Sequence, residues 1–537
     1  MITPRLGNHC DDIIRLPHND IGKEQGLVTL LDQVNRAVAR GATQVMGGKR
    51  IDRPGSLMQP TVLTNFKSAN PAFREEFFGP VASIDARVFR AVASVDVKAM
   101  SAPRQSAINR ARKLQKLWRS ILIIGFAPGF LVSCIGIPGR GEKQIRYELT
   151  HRFAVEDPQF LRSMGQLLGP AIVPGNRVTA LQNGNQIFPA MLNAIRGAHE
   201  SITFETYIYW SGDIGRQFSE ALCERALAGV KVHVLLDWLG AEKIDGKYLA
   251  DMKAAGVEVE RYHPLRWYNL SRLNNRTHRK LLVVDGRIGF TGGVGIADAW
   301  TGDASAKDHW RDSHYMIEGP AVAQMQAAFG DNWMKTRSQV LYGSAYYPEL
   351  AQIGRSRAQV FKSSRDEGSE SVRLMYLLSV ASAAKRIRLQ AAYFVPDDLA
   401  IETLIAARKR GVKIEIIVPG PNTDSDIVQG ASRSRWAALL DAGVLIYEYQ
   451  PSLYHRKVLI VDDVWVSVGS TNFDNRSFRL NDEANLNVYD AAFAAEQVTV
   501  FDNDKSVSRR MTRADFKNRS MLGKMFDAIA GLLRQQL

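Results

Sequence analysis

Two stretches of this 537-residue chain carry the same three side chains at the same intervals. THRKLLVVDGRIGFTGGVGIAD holds His278, Lys280 and Asp285, and YHRKVLIVDDVWVSVGSTNFDNRS holds His455, Lys457 and Asp462. Each His-x-Lys opens an apolar run of strand length. Side chains alternate along a strand, so the imidazole and the ammonium share one face. Imidazole moves protons near neutral pH and can act as a covalent nucleophile. A lysine beside it supplies positive charge where a phosphate's negative charge builds up. Small residues follow each run, Gly292-Gly293-Val294-Gly295 in one and Gly469-Ser470-Thr471-Asn472 in the other, and such turns let backbone N–H groups approach an anion. Two half-sites of this kind facing one phosphorus suit phosphodiester chemistry by covalent catalysis, with no metal or other cofactor called for.

The half-sites lie inside an internal repeat of roughly 180 residues that spans residues 139–537. SITFETYIYW (from Ser201) matches RIRLQAAYFVP (from Arg386), and GVKVHVLLDW (from Gly229) matches GVKIEIIVPG (from Gly411). AGVEVERYHP (from Ala255) matches AGVLIYEYQP (from Ala442), and each copy then reaches its His-x-Lys. β-Branched runs alternating with helical stretches such as SEALCERALA and LIAARKRG indicate βαβ units around a mixed or parallel sheet. The period is too long for a solenoid and fits two fused domains, 139–345 and 346–537. The Ser- and Gly-rich segment from about Ser344 to Ser371 reads as the linker between them.

Composition narrows the partners. A net charge of +14 calls for a polyanion, either nucleic acid or an anionic membrane. Three cysteines (Cys10, Cys134, Cys223) without paired spacing exclude a disulfide framework and a cysteine-rich zinc site. No His-Glu-x-x-His run occurs among the ten histidines. GGVGIAD places Asp298 where a dinucleotide fingerprint needs its third glycine, so that reading fails. His199, His233 and His263 read as structural, while His309 and His314 flank Trp310-Arg311-Asp312 and read as support near the site.

Before the repeat the chain changes character twice. Residues 1–99 read as an incomplete α/β fragment. GGKRIDRPGSLMQPTVLTNF and REEFFGPV give residues 26–89 a resemblance to the C-terminal part of aldehyde dehydrogenases. In that family the nucleophilic cysteine and the main nucleotide-binding residues precede this region, so the fragment is read as a fused remnant, or as the result of a start codon placed too early, without dehydrogenase activity. Residues 100–138 then place six basic residues and no acidic one before SILIIGFAPGFLVSCIGIPG. Its apolar run of about seventeen residues falls short of the ~20 that span a bilayer. Two readings stand side by side: an anchor helix, or a lipoprotein signal in which Leu131-Val132-Ser133-Cys134 resembles a lipobox. The basic flank stays cytoplasmic, which carries the rest outward, to the periplasmic side of a bacterial inner membrane.

His-x-Lys-x4-Asp-x6-Gly-Ser-x-Asn is the signature of the phospholipase D superfamily, and the second copy matches it at His455, Lys457, Asp462, Gly469, Ser470 and Asn472. The first copy matches at His278, Lys280, Asp285 and Gly292, with Gly293 and Gly295 in place of Ser and Asn. FETYIYWSGDIGRQFSEAL, HWRDSHYMIEGPAV and GSTNFDNRSFRLNDEANL further resemble the bacterial cardiolipin synthase branch. The resemblance implies two phospholipase D-like αβ domains related by a pseudo-twofold repeat. It implies histidine attack on a phospholipid such as phosphatidylglycerol, release of an alcohol, and a phosphatidyl-histidine intermediate that a second phosphatidylglycerol resolves. By analogy His278 is the nucleophile and His455 the general acid, and Lys280, Lys457, Ser470 and Asn472 bind phosphate. Glu483 partners a catalytic histidine; Asp285 and Asp462, though part of the motif, read as orienters or structural anchors. Hydrolysis by the same covalent step is the alternative. A nuclease is disfavoured, because no aromatic–basic ladder for bases is present. The C-terminal run MLGKMFDAIAGLLRQQL aligns Leu522, Phe526, Ile529 and Leu533 on one helical face, either for a membrane surface or for packing on the core.

Overall fold

The structure is a computed structural model that describes residues 24–46, 49–50, 61–64, 81–84, 150–264, 275–364 and 371–533. The apolar run after residue 119, with its lipobox-like Cys134, lies outside the described residues. Within them no helix is long and apolar enough to cross a membrane. The chain divides into two units, Met1–Gln144 and Ile145–Leu537.

In the first unit the helix Glu24–Ala39 buries Leu30, Val34 and Ala37, the i, i+4, i+7 stripe of an amphipathic helix. Three strands follow, β1 (Thr43–Met46), β2 (Thr61–Thr64) and β3 (Val81–Ile84). β2 pairs antiparallel with β1 and parallel with β3.

The second unit realises the repeat as one continuous sheet. The first repeat supplies β4 (Val173–Gln182), β5 (Ser201–Thr206), β6 (Lys231–Asp237), β7 (Glu258–Tyr262), β8 (Leu281–Val284), β9 (Ile288–Gly292) and β10 (Ser313–Glu318). The second supplies β11 (Ser356–Ser363), β12 (Arg386–Ala391), β14 (Lys413–Pro419), β15 (Leu445–Tyr449), β16 (Lys457–Val461), β17 (Trp465–Gly469), β19 (Glu483–Tyr489) and β20 (Ser508–Met511), while its β13 (Phe394–Val395) and β18 (Phe473–Asp474) pair only with each other. Outward from the middle, one half runs β4-β10-β9-β8-β5-β6-β7 and the other β11-β19-β17-β16-β12-β14-β15-β20. The strand that opens each repeat therefore lies at the seam, where β4 and β11 pair antiparallel. The crossovers β5-β6-β7 and β12-β14-β15 are parallel, and helices such as Asp213–Leu227 and Asp398–Lys409 cover them. Strands buried on both faces need unbroken apolar runs, which LLVV in β8 and KVLIV in β16 provide.

The segment read as a linker is instead part of this seam. β11 lies inside it and buries Ala358, Val360 and Phe361, because neighbours pair with it on both sides, β4 on one and β19 on the other. A core shared by the two repeats forms there. It joins Leu281, Val283, Tyr315 and Trp333 of the first to Val458, Ile460, Val466 and Leu486 of the second.

Candidate active site

Each His-x-Lys enters the strand beside its partner's half of the sheet. The His278 N–H donates to the Asp482 carbonyl at 2.9 Å, and the Asp482 N–H returns a bond to the Arg276 carbonyl at 2.8 Å. Across the pseudo-twofold, the His455 N–H donates to the Arg311 carbonyl at 2.9 Å and the Arg311 N–H to the Leu453 carbonyl at 2.8 Å. The residue after each of these contacts is a carboxylate. Glu483 lies 2.9 Å from His278 Nδ1, and Asp312 lies 2.7 Å from His455 Nδ1. Each repeat thus orients the other's imidazole, and with Nδ1 engaged, Nε2 is the His278 ring nitrogen left for a substrate.

The residue between His and Lys points to the opposite face and ties the halves together. Arg279, fully buried, donates to the carbonyls of Ala328, Glu483 and Ser363. Arg456, equally buried, reaches Ser313 Oγ at 2.7 Å and Asp504 at 3.0 Å. Asp504 also accepts from Arg311 of the first repeat. Removing one partner of such a buried pair costs about 3–5 kcal/mol, so the alignment of the two histidines is strongly enforced.

A pocket of about 140 Å3 forms where the half-sites meet. His278, Lys280, His455 and Asn472 line it with Tyr207, Tyr393, Trp310 and Arg476. Lys280 Nζ and Lys457 Nζ each donate to the carbonyl of the histidine two residues earlier, both at 2.7 Å. Burial pushes the Lys280 ammonium down to about 7, against the pull of Glu483, and Lys457 to about 8, against Asp312 and Glu483. Burial also lowers His278 to about 4 despite Glu483. His455 is lowered by burial and by Lys457, whose Nζ lies 3.1 and 3.2 Å from its two ring nitrogens. His278 is therefore neutral at pH 7 in the free enzyme. Burial alone would raise Glu483 and Asp312, but the facing histidines and lysines outweigh it and keep both carboxylates ionised.

Lys457 stands behind the pocket lining, against the His455 ring, and the two motif aspartates lie farther off. Asp285 and Asp462 sit at the far ends of β8 and β16, roughly 16 Å of strand from the lysines. Each adopts a left-handed φ at the hairpin turn, +51° and +52°. Asp285 accepts the backbone N–H groups of His199, Glu200 and Ser201; Asp462 accepts those of Ala384, Lys385 and Arg386. They clamp β5 and β12 to the motif strands. Ser470 also differs from its expected place: its hydroxyl donates to Glu483 at 2.5 Å and does not line the pocket. Asn472 does line it. His233 bonds Tyr346 and His309 bonds the Thr301 carbonyl, while His314 is buried with neither ring nitrogen bonded. None of the three lines the pocket.

The sequence reading missed Asp312 and Trp300. The repeat could have found the first, since Arg311-Asp312 occupies in one copy the place of Asp482-Glu483 in the other. Trp300 carries no such signal; its indole Nε1 donates to Asp312 at 3.1 Å from a 3-10 turn within the first repeat. Among the described residues no group of three or more histidine, cysteine or acidic side chains is placed to hold a metal ion.

A duplicated mixed sheet with paired His-x-Lys strands at one pocket defines a phospholipase D-like, phospholipid-modifying enzyme. The chain belongs to the family described as cardiolipin synthase, PLD-like domain, which matches residues 191–333 and 377–505. Cardiolipin synthase 2 of Staphylococcus epidermidis is 35% identical over 362 residues, covering 67% of this chain and 74% of the relative. Cardiolipin synthase A of Pseudomonas fluorescens is 31% identical over 376 residues, 70% of this chain and 78% of the relative. The crystal structure of phosphatidylserine synthase from Haemophilus influenzae shares the fold, with a TM-score of 0.55 at 14% identity over 70% of this chain and all of that one. The aldehyde dehydrogenase family matches residues 18–88.

Proposed function

We propose that this enzyme makes cardiolipin by moving a phosphatidyl group from one phosphatidylglycerol to the hydroxyl of another. His278 Nε2 attacks phosphorus while Glu483 holds the proton on Nδ1. The P–O bond to glycerol breaks, and His455, protonated once the substrate's phosphate anion sits beside it, delivers that proton to the departing oxygen. The acceptor's hydroxyl then gives its proton to His455 and attacks phosphorus, and the N–P bond breaks to free His278. Lys280, Lys457 and Asn472 hold the phosphate oxygens. The observation that carries this reading is the crossed arrangement, with each histidine oriented by the opposite repeat's carboxylate at one pocket. The asymmetry in the lysines supports the assignment of roles. Lys457 Nζ contacts both nitrogens of the His455 ring, whereas Lys280 bonds only the His278 carbonyl among the polar partners described, which leaves the His278 Nε2 clear for attack. The basic run before the apolar segment at 120–137 supports a place at the bacterial inner membrane with this unit on the periplasmic side.

Purified protein incubated with phosphatidylglycerol vesicles should yield cardiolipin and glycerol. Phosphatidic acid as the main product would make it a hydrolase, and cleavage of added single-stranded DNA without lipid products would make it a nuclease. With a nitrophenyl phosphodiester, His455→Ala should still accumulate an adduct on His278, whereas His278→Ala should form none. An adduct on His455 in the latter variant, mapped by mass spectrometry, would reverse the roles.

A further inference from the structure

The C-terminal helix Met521–Leu532 has its large apolar side chains on the wrong side for a water-facing surface. Its packed side is small or polar, with Asp527, Ala530 and Gly531 buried. Asp527 pairs with Arg519. The helix sits against Asp426–Arg433 at Gly430, where an added Cβ would meet the Phe526 ring at 2.8 Å and Ala530 Cβ at 3.1 Å. Gly531 seats in the same way on Ser434. Only small residues permit this approach. The outward side carries Met521, Leu522, Met525, Phe526, Ile529 and Leu532, between 44 and 87% exposed. At 3.6 residues per turn these six fall within an arc of about 140°. A surface helix of a globular protein turns such a stripe to the core.

Charge identifies the occupant. Between Ser508 and Leu533 there are six basic residues and two acidic ones. Three of the basic groups are engaged on the protein, Arg509 with Glu448, Arg513 with Asp441 and Arg519 with Asp527, while Lys517 and Lys524 flank the stripe exposed. A second copy would bring the same positive rim against itself, whereas an anionic bilayer complements both the apolar stripe and its flanks. The contact also bears on the pocket. Asp424, which lines the pocket with its Tyr393 hydrogen bond, lies two residues before the helix on which Phe526 and Ala530 rest.

We propose that this helix inserts its exposed face into the surface of an anionic phospholipid bilayer and so holds the pocket wall at Asp424 against the lipid. The inference rests on the phospholipid reading of the site for its purpose, but not for its test. In the full chain, a photoreactive phenylalanine analogue in place of Ile529 should crosslink to lipid on phosphatidylglycerol vesicles, several-fold more than on neutral phosphatidylcholine vesicles. The same analogue in place of Leu227, still more exposed on another helix, should not. Met525→Glu with Ile529→Glu should lower turnover of vesicle phosphatidylglycerol several-fold and leave turnover of a water-dispersed short-chain analogue unchanged. Absence of lipid crosslinks at position 529, protein–protein crosslinks there, or equal loss on both substrates would each overturn the proposal. Crosslinking needs no turnover, so a protein that labels normally but makes no cardiolipin would refute the proposed reaction and leave this surface intact.

Discussion

The two half-sites share a skeleton and hold their carboxylates by different means. In the second, Ser470 Oγ donates to Glu483 at 2.5 Å, one residue past the end of β17. In the first, the equivalent position is Gly293, where an added Cβ would meet the Asp312 carboxylate at 2.4 Å. Asp312 has closed over the vacant position, and Trp300 supplies the donor from another direction at 3.1 Å. The second difference has a similar cause. Gly295 stands where the other copy has Asn472, and a Cβ there would meet Ile208 Cβ at 2.7 Å. Ile208 has taken the space, so the only motif amide in the pocket is Asn472. A motif that looks degraded in one copy is thus re-supported by side chains from outside it. The difference teaches that the repeated requirement is an oriented carboxylate on Nδ1, not a particular residue at the turn.

The comparison breaks most visibly at the carboxylates. Glu483→Gln should lower both adduct formation from an activated substrate and overall turnover, on the order of 10²-fold or more, because the nucleophile loses its orientation and charge support. Asp312→Asn should lower overall turnover by a comparable factor yet spare adduct formation from a nitrophenyl substrate, whose leaving group needs no acid. Rapid-quench measurement of adduct against steady-state product separates them; equal losses in both assays would erase the distinction between the half-sites.

The lysines should give the next effect. Each must be protonated to hold phosphate, and burial has brought them to about 7 and about 8 in the free enzyme. For a soluble phosphodiester, kcat/KM should therefore fall as pH rises through this range, by about tenfold per unit for each group lost. Lys280→Arg, with a guanidinium that stays charged, should move that fall upward. A profile flat to pH 10 would place the lysines' charge outside the binding step.

The smallest effects belong to the donors that differ. Trp300→Phe and Ser470→Ala each remove one hydrogen bond to an ionised carboxylate, about 1.5–3 kcal/mol and hence roughly ten- to a hundredfold. Ser470→Ala should slow adduct formation. Trp300→Phe should leave it intact, slow turnover of the natural leaving group, and shift the acid's limb in the pH–rate profile. A purely structural role for Trp300 would lower the melting temperature without moving that limb.

Much of the fold was legible because a repeat writes each strand twice. β5 and β12, β6 and β14, and β7 and β15 could be read as pairs, and the apolar runs after each His-x-Lys could only be buried strands. The linker was misread since β11 is a polar strand whose burial comes from pairing with both β4 and β19, which no local pattern announces. Within the site, His278, Lys280, His455 and Lys457 followed from spacing alone, and Glu483 from the motif that contains it. Asp312 was hidden because it differs in residue type from its counterpart Glu483 and lies in a segment without a His-x-Lys, where only the pseudo-twofold pairs it with His455.

The sequence by itself determined the chemistry on offer: two imidazole–ammonium pairs, each on one strand face, with period-2 geometry fixing which side chains share that face. It also placed Asp285 and Asp462 at the ends of the apolar runs, where they read as anchors, while the N–H groups they gather came from segments far away in sequence. Only the tertiary structure decided which carboxylate serves which histidine, that Trp300 stands in for a missing serine, and that the C-terminal helix turns its apolar face outward. Those outcomes depend on contacts between residues far apart in sequence, and such contacts exist only once the β4–β11 seam has brought the repeats together.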